Sequence, residues 1–314
     1  MNSKFWKRHT ENSSGHLWPP PWNLAEGFLI GAGLLITGLL LQYCVGPIDW
    51  NWLAFPANVG VLLAYGLVSV GVYLLRSRFY AFRYLSTFQA SVPALIWTVF
   101  VTILLGLLRQ APETSPLPHR GLCLDHLLSA WYFVLIYVWL MVVLTQTVLN
   151  RVFHFRLRDI PFLLNHFGLL VAMLCATLGN ADMRRLLMVT TYDSPEWHAM
   201  DQRQQMVDLP LAIELRHFVM ETYDDGSPRR FTSNIQIHTS SGQNLLATVE
   251  VNKPVEVEGW KIYQYGYDTE RGAASRISIL EMVRDPWLPY VYAGIFMMLG
   301  GAVSMMFQKR RRPS

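Results

Sequence analysis

The sequence predicts a polytopic α-helical membrane protein of about six transmembrane helices, with an antiparallel β-rich extracytoplasmic domain inserted before the last helix. Three observations support this prediction. The 314 residues are 52% apolar and only 15% charged, whereas soluble domains carry about 25% charged residues. The apolar residues are concentrated in six long stretches. The segment before the last stretch instead alternates apolar and polar residues.

Six apolar stretches are long enough, or nearly so, to cross a bilayer core of roughly 30 Å as helices. They contain no Lys, Arg or Asp, and their ionisable residues are Glu26 at the entrance of the first stretch and His166 inside the fifth. Buried helices of a soluble protein would not be this long and this uncharged six times over. The expected helices are about 24–45, 52–75, 92–108, 127–149, 161–178 and 286–308.

Lys and Arg near the helix ends predict the orientation in the membrane. They cluster in the tail 1–23, in the loops after the second and fourth helices, and in the tail 309–314. We therefore expect both termini in the cytoplasm, a membrane domain at 24–180 and an outer domain at 181–285. Because these charges serve topology, the net charge of +4 does not indicate nucleic-acid binding.

Period-two alternation in residues 181–285 predicts strands with one buried face. It is clearest at 211–216, 234–238 and 249–252, with turn residues such as Gly242 and Gly259 between the strands. We expect about five or six antiparallel strands. The segment has eleven Lys and Arg against sixteen Asp and Glu, so it is acidic within a basic chain.

One residue inside the predicted helices, His166, is a candidate for chemistry. There is no P-loop, G-x-S-x-G, H-E-x-x-H, C-x-x-C or C-x-x-C-H motif. His166 is ionisable and lies within a predicted span, which makes it a functional candidate. A neutral imidazole there can ligate haem iron, and Gly168 lets a group approach the backbone closely. An interhelical hydrogen bond from His166 explains the residue equally well.

The predicted outer loop after the third helix carries other ligand types, namely His119, Cys123 and His126. Their H-x₃-C-x₂-H spacing matches no standard metal site, so a polar loop and a metal or haem site both stay open. Cys44 lies near the outer end of the first helix, and a disulfide with Cys123 is conceivable in an oxidising compartment.

Three ordered motifs resemble the ResB (CcsB) family of system II cytochrome c biogenesis proteins. The first is LPLAIELRHF at 209–218, followed by Glu-Thr-Tyr at 221–223. The second is VNKP at 251–254, with GWKIYQ at 259–264 and Tyr-Asp at 267–268. The third is Arg-Asp-Pro at 284–286, with Tyr-Ala-Gly at 292–294. The resemblance covers roughly residues 92–308, so the first two helices are additional and the outer domain is short for the family.

The resemblance implies a protein of the bacterial inner membrane that works with a ResC (CcsA)-type partner. Together they would move haem b to the outer face and join its vinyl groups to the thiols of C-x-x-C-H in apocytochrome c. In that family a transmembrane histidine of each protein holds the haem, and His166 is the matching position. Tyr263, Gln264 and Tyr267 would hold the β domain together or contact the partner.

The tryptophan-rich haem-handling segment belongs to the partner in this family, so we expect a non-autonomous subunit of a haem lyase. One alternative is a non-catalytic scaffold that stabilises the partner and presents apocytochrome without touching haem. Another is a haem-bearing, quinol-oxidising respiratory subunit. Such a subunit normally needs paired histidines within its spans, and His166 is the one found there.

Overall fold

The structure, a computed structural model, describes residues 18–111, 115, 117–118, 121–192, 194–225 and 227–307. The two predicted basic tails lie largely outside these residues. By length and composition, six helices in the described residues are apolar enough to cross a membrane; a short helix, α3, is not among them. The helices are α1 Leu24–Val45, α2 Ala57–Leu74, α3 Tyr80–Tyr84, α4 Phe88–Leu107, α5 Trp131–Phe153, α6 Ile160–Gly179 and α7 Leu288–Phe307.

Local chemistry sets where these helices begin. α1 starts with a capping box, in which Asn23 Oδ1 accepts from the Ala25 amide and Glu26 accepts from the Asn23 amide, both at 2.7 Å. This role accounts for the acidic residue at the helix entrance. α2 begins five residues later than expected, because Trp50–Leu53 forms a 3₁₀ turn ahead of Pro56. α5 is displaced by four residues at each end, after a 3₁₀ turn at Leu127–Ser129.

The central helix of the bundle is α5, which contacts α1, α2, α4 and α6. Two polar contacts join it to α2, and a third joins it to the turn that follows α2. The hydroxyls of Tyr65 and Thr145 lie 2.6 Å apart, and Gln146 Nε2 donates to the Ser69 carbonyl at 2.9 Å. Just beyond α2, Arg76 donates to Asn150 Oδ1 at 2.8 Å. Interhelical hydrogen bonds of this kind stabilise helix pairs in apolar surroundings, so the additional N-terminal helices belong to the same bundle as the rest.

The connecting segments gather at two opposite ends of the bundle. At the sheet end, the Ile48 amide donates to the Ser129 carbonyl at 2.8 Å, and Trp131 Nε1 donates to Gly46 at 2.9 Å. At the other end, the Trp22 amide donates to the Tyr80 hydroxyl at 2.9 Å. We call this second end the arginine end, because it carries Arg76, Arg78, Arg83, Arg151, Arg156 and Arg158.

Helices α6 and α7 pack through glycines. A Cβ built on Gly294 would lie 2.6 Å from the carbonyl oxygen of Gly168, and one on Gly301 would lie 2.7 Å from the Asn165 amide nitrogen. Small residues let helix backbones approach this closely. The last helix therefore lies directly against α6.

We expect Gly294→Ala to lower the free energy of unfolding by about 1–3 kcal/mol, because the new methyl group meets backbone atoms that must shift. Thermal unfolding of the purified chain in detergent measures the effect. Gly300→Ala is the matched control, since a Cβ at Gly300 on the same helix meets nothing within 4 Å. Equal melting temperatures for the two variants would contradict this packing.

Eight strands of the described residues form one antiparallel sheet in the order β5-β4-β3-β2-β1-β8-β7-β6. The expected number of five or six was too low. β1 was missed because both of its faces carry apolar residues, as exposed Leu187 and Val189 show, and β6 has only three residues. The strands are β1 Arg184–Thr191, β2 Glu196–Asp201, β3 Met206–Thr222, β4 Pro228–His238, β5 Asn244–Glu250, β6 Val255–Val257, β7 Trp260–Tyr267 and β8 Ile277–Arg284.

The sheet curls so that its inner face packs on itself. Ser233 of β4 donates to Ser278 Oγ of β8 at 2.8 Å, although β3, β2 and β1 separate these strands in the sheet. Gln264, 3% exposed, completes the contact by donating from Nε2 to Ser278 Oγ and to the Gly266 carbonyl, both at 2.9 Å. A small polar network is thus buried in an otherwise apolar core.

Gln264→Leu should destabilise the chain by about 1–3 kcal/mol, because it removes a hydrogen-bond partner of buried Ser278 and of the Gly266 carbonyl. Chemical unfolding followed by near-ultraviolet circular dichroism measures the loss. The matched control is Gln243→Leu in an exposed turn. A Gln264→Leu chain as stable as this control would show that the network does not contribute.

Candidate functional site

His166 is the seventh residue of α6, about 9 Å along the helix from its first residue at the arginine end. The imidazole is half-buried and stacks on the Phe162 ring one turn earlier, with centroids 3.9 Å apart and planes 18° apart. Its Nδ1 lies 3.0 Å from the Phe162 carbonyl oxygen. Because a carbonyl can only accept, Nδ1 carries the hydrogen.

In the neutral imidazole this contact places the hydrogen on Nδ1 and leaves Nε2 with its lone pair. The residues that the structure describes offer Nε2 no hydrogen bond. A histidine whose other ring nitrogen donates to a carbonyl is the usual arrangement of a metal-ligating imidazole. The hydrogen bond that is present lies within α6 rather than between helices.

The imidazole lines a cleft of about 360 Å³ between the start of α4, the end of α5 and the start of α6. The volume falls within the range of roughly 300–1,000 Å³ typical of small-molecule sites. The hydroxyls of Ser91 and Thr147 donate back to their own helices, so they present acceptor lone pairs to the cleft. The lining residues are Ser86, Thr87, Phe88, Ser91, Thr147, Asn150, Arg151, Phe162 and His166.

Arg151 lines one side of this cleft. Its Nη1 lies 3.1 Å from the carboxylate of Asp159, whose side chain is 8% exposed, and its guanidinium lies 5.0 Å from the centre of the Phe162 ring. The ion pair and the cation–π contact together orient Phe162 against His166. The sequence analysis did not single out Phe162 or Arg151 as neighbours of His166. The sequence offered two signals. Phe162 and His166 are spaced i, i+4, and Arg151 and Asp159 carry opposite charges on either side of a short loop.

Gly168 does not line the His166 cleft. It lies about 200° around the helix from His166, and the group that approaches its backbone is α7. A Cβ on Gly168 would lie 2.6 Å from the Gly294 carbonyl oxygen. The close approach expected of a ligand at Gly168 is thus made by a neighbouring helix.

The predicted ligand cluster of the outer loop is only partly described, because His119 lies outside the described residues. The ligand atoms of Cys123, Asp125 and His126 lie within 4.8 Å of one another, and these residue types suit a transition metal. Burial raises the pKa of the Cys123 thiol, so without a metal it stays protonated at neutral pH. All three cysteines are free, so Cys44 and Cys123 are not bridged.

Asp182 joins three elements at the sheet end. Its carboxylate accepts from the Phe55 amide, from Asn58 Nδ2 and from Trp287 Nε1, each at 2.7 Å. The entrance of α2, the end of α6 and the start of α7 therefore meet on one carboxylate, directly before β1. Sequence reasoning did not single out this residue.

Comparison with known proteins points to one family. A sequence model of the ResB-like family matches residues 156–279, which hold α6, His166 and most of the sheet. "Cytochrome c biogenesis protein CcsB" of Prochlorococcus marinus subsp. pastoris is 24% identical over 128 residues, which are 40% of this chain and 29% of that protein. The matched part of the chain thus spans less than a third of this relative.

A solved structure, "Cytochrome c Heme Lyase CcmF", aligns with a TM-score of 0.39 and 12% identity, over 92% of this chain and 46% of that one. The family match confirms the resemblance over residues 156–279, which hold the first two of the three sequence motifs, and the curated relative agrees with it. Over residues 156–279 the chain is thus similar to the ResB-like family.

Proposed function

We propose that this protein is a subunit of a system II cytochrome c maturation complex. With a ResC/CcsA-type partner, it helps to move haem b to the outer face of the membrane and to attach it to the C-x-x-C-H thiols of apocytochrome c. The observation that carries the proposal is the free Nε2 of His166 beside a cleft, within the residues that match the ResB-like family.

The proposed topology places the arginine end in the cytoplasm of a bacterial cell and the sheet outside its inner membrane. Six arginines lie at the arginine end, whereas the described parts of the loops 46–56 and 108–130 carry Arg109 alone. Short basic loops stay on the cytoplasmic side. In this topology both termini are cytoplasmic, the six apolar helices are solvated by lipid, and residues 181–285 face outward.

The residues of the cleft fit a haem. His166 offers a ring nitrogen as an iron ligand, Phe162 stacks on its imidazole, and Phe88 adds a second aromatic side chain to a cleft whose other lining residues are polar or charged. His166 would hold the iron of the haem, and Phe162 would orient the imidazole. The second axial ligand would come from the partner.

The haem itself supplies the vinyl groups for attachment. Each thiol S–H adds across a vinyl C=C bond, so a C–S bond forms, the hydrogen goes to the neighbouring carbon, and no oxidant is consumed. In this scheme the chain binds and orients the haem, while the partner contributes the tryptophan-rich segment. The protein is therefore a non-autonomous subunit.

The test of this proposal is co-expression with a ResC/CcsA-type partner and a reporter apocytochrome in cells that lack their own maturation system. We expect haem-stained holocytochrome only when both membrane proteins are present, and a strong loss with His166→Ala. His217→Ala, in an exposed position of β3, serves as the control. Undiminished holocytochrome with His166→Ala would favour the scaffold, which never touches haem.

We expect a cysteine at the sheet to react from outside the cell. In a Cys44→Ser background, Ser241→Cys in an exposed turn should react with a membrane-impermeant maleimide in intact spheroplasts. Ser77→Cys, at the arginine end, should react only after permeabilisation. The reverse pattern would contradict the proposed topology.

A further inference from the structure

A thiol, a carboxylate and an imidazole converge in the segment between α4 and α5, at the sheet end of the bundle. They belong to Cys123, Asp125 and His126, and one ligand atom from each residue lies within 4.8 Å of the other two. Cys123 is 4% exposed, and its Sγ lies 3.5 Å from the His126 carbonyl oxygen. Four residues of chain thus bring together three kinds of metal ligand.

The imidazole of His126 is buried without a hydrogen bond to the residues that the structure describes. Its side chain is 12% exposed, and both of its ring nitrogens are shielded from solvent. Nδ1 lies 3.3 Å from a carboxylate oxygen of Asp125, but not with the geometry of a hydrogen bond, and Nε2 has no polar partner in the described part of the chain. Buried polar atoms are normally paired, so this ring points to a ligand.

Hydrogen bonds hold the backbone on both sides of the three ligands. Gln110, just after α4, donates from Nε2 to the Leu124 carbonyl at 3.2 Å and accepts at Oε1 from the Leu127 amide at 3.0 Å. The hydroxyl of Tyr132, in the first turn of α5, donates to the Leu122 carbonyl at 2.9 Å. Ligands on a backbone that is already fixed bind more tightly, because binding orders less of the chain.

The ligand types indicate which ions fit. A thiolate and an imidazole favour zinc-like ions, whereas Mg²⁺ and Ca²⁺ prefer oxygen ligands. Tetrahedral zinc, with its sulfur ligand at about 2.3 Å and nitrogen or oxygen ligands at about 2.0 Å, holds its ligand atoms roughly 3.3–3.6 Å apart. Small side-chain rotations would close the present cluster to that size. The Asp125 side chain is 56% exposed, which leaves an ion a route from the solvent.

We propose that Cys123, Asp125 and His126 bind one zinc ion, which fastens the segment between α4 and α5 at the sheet end. On binding, the thiol S–H bond breaks and an S–Zn bond forms, the proton goes to the solvent, and no electron is transferred. Three protein ligands leave the fourth position of the tetrahedron to water or to another ligand. The inference does not depend on haem or on the proposed function.

The experiment uses the full-length chain with Cys44→Ser and Cys175→Ala, so that Cys123 is its one remaining cysteine. The chain is purified in detergent through an affinity tag without histidines, stripped with a chelator under reducing conditions, and titrated with Co²⁺ and then with Zn²⁺. We expect one ion per chain and a near-ultraviolet charge-transfer band from thiolate to cobalt. Zn²⁺ should abolish this band by displacing Co²⁺, and Cys123→Ser should not show it.

Two substitutions test the other ligands in the same background. His126→Ala and Asp125→Asn should each lower the affinity for Zn²⁺ at least about tenfold, since loss of groups that merely orient a ligand already costs 10–100-fold. The matched controls are His217→Ala and Asp224→Asn, in exposed positions of the sheet domain. Both controls should bind Zn²⁺ as tightly as the background chain.

Cobalt binding without the thiolate band would overturn the site, as would failure to bind either ion. Equal Zn²⁺ affinities for Asp125→Asn and its control would also overturn it, and would mean that an adventitious ion is bound elsewhere. If His126→Ala does not fold, Asp125→Asn decides the outcome, because its exposed side chain can change without disturbing the packing.

Discussion

Replacing His166 with alanine is expected to lower the haem affinity of the purified chain by more than roughly 100-fold. Loss of groups that merely orient a metal ligand already costs 10–100-fold in affinity, and this substitution removes the ligand itself. Nε2 of His166 is the ring nitrogen left free by the bond from Nδ1 to Phe162. Titration with haem, followed by the Soret band, measures the change.

Two further variants show whether the loss of affinity is specific to the His166 imidazole. His217→Ala removes an exposed imidazole of the sheet and should leave the affinity unchanged. His166→Gly leaves space for free imidazole, which should restore binding and the spectrum of nitrogen-ligated iron. Similar affinities for the wild-type chain and His166→Ala would rule out His166 as a ligand.

Asp182→Ala should lower the free energy of unfolding by about 3 kcal/mol or more. One carboxylate accepts from the Phe55 amide, Asn58 and Trp287. The bonds from Asn58 and Trp287 are partly buried, and each partly buried donor left without a partner costs about 1–3 kcal/mol. The loss should appear as a lower melting temperature in detergent and as faster proteolysis of the segment that joins α1 to α2.

Asp182→Asn should fall between the wild-type chain and the alanine variant. Its amide keeps one acceptor oxygen but turns an N–H group towards donors. The control is Asp224→Ala, in the exposed turn between β3 and β4. If Asp182→Ala unfolds at the same temperature as this control, the carboxylate does not hold the three elements together.

The sequence pattern anticipated helices where composition and capping agree. α1 has the predicted bounds, because the capping box at Asn23 and the positive φ of 87° at Gly46 mark its ends. Composition did not predict the start of α2, because Trp52 to Phe55 are all apolar but the backbone turns before Pro56. It failed again at β1, where alternating burial is hidden by apolar side chains on both faces.

The candidate site shows the same division between local and distant information. His166 stands out as an ionisable residue in an apolar stretch, which one segment of sequence reveals. The approach of α7 to Gly168 depends on a helix more than a hundred residues later. The contacts of Asp182 with Phe55 and Asn58 likewise span more than a hundred residues. Such contacts arise only when the helices pack.

The iron ligand is tested most directly by electron–nuclear double resonance of ferric haem bound to the purified chain, after growth with ¹⁵N-labelled histidine. We expect a strongly coupled histidine nitrogen on the iron of the wild-type chain and of His217→Ala, and its disappearance in His166→Ala. The same coupling in His166→Ala, or bound haem with no coupled histidine nitrogen in the wild-type chain, would contradict ligation by His166.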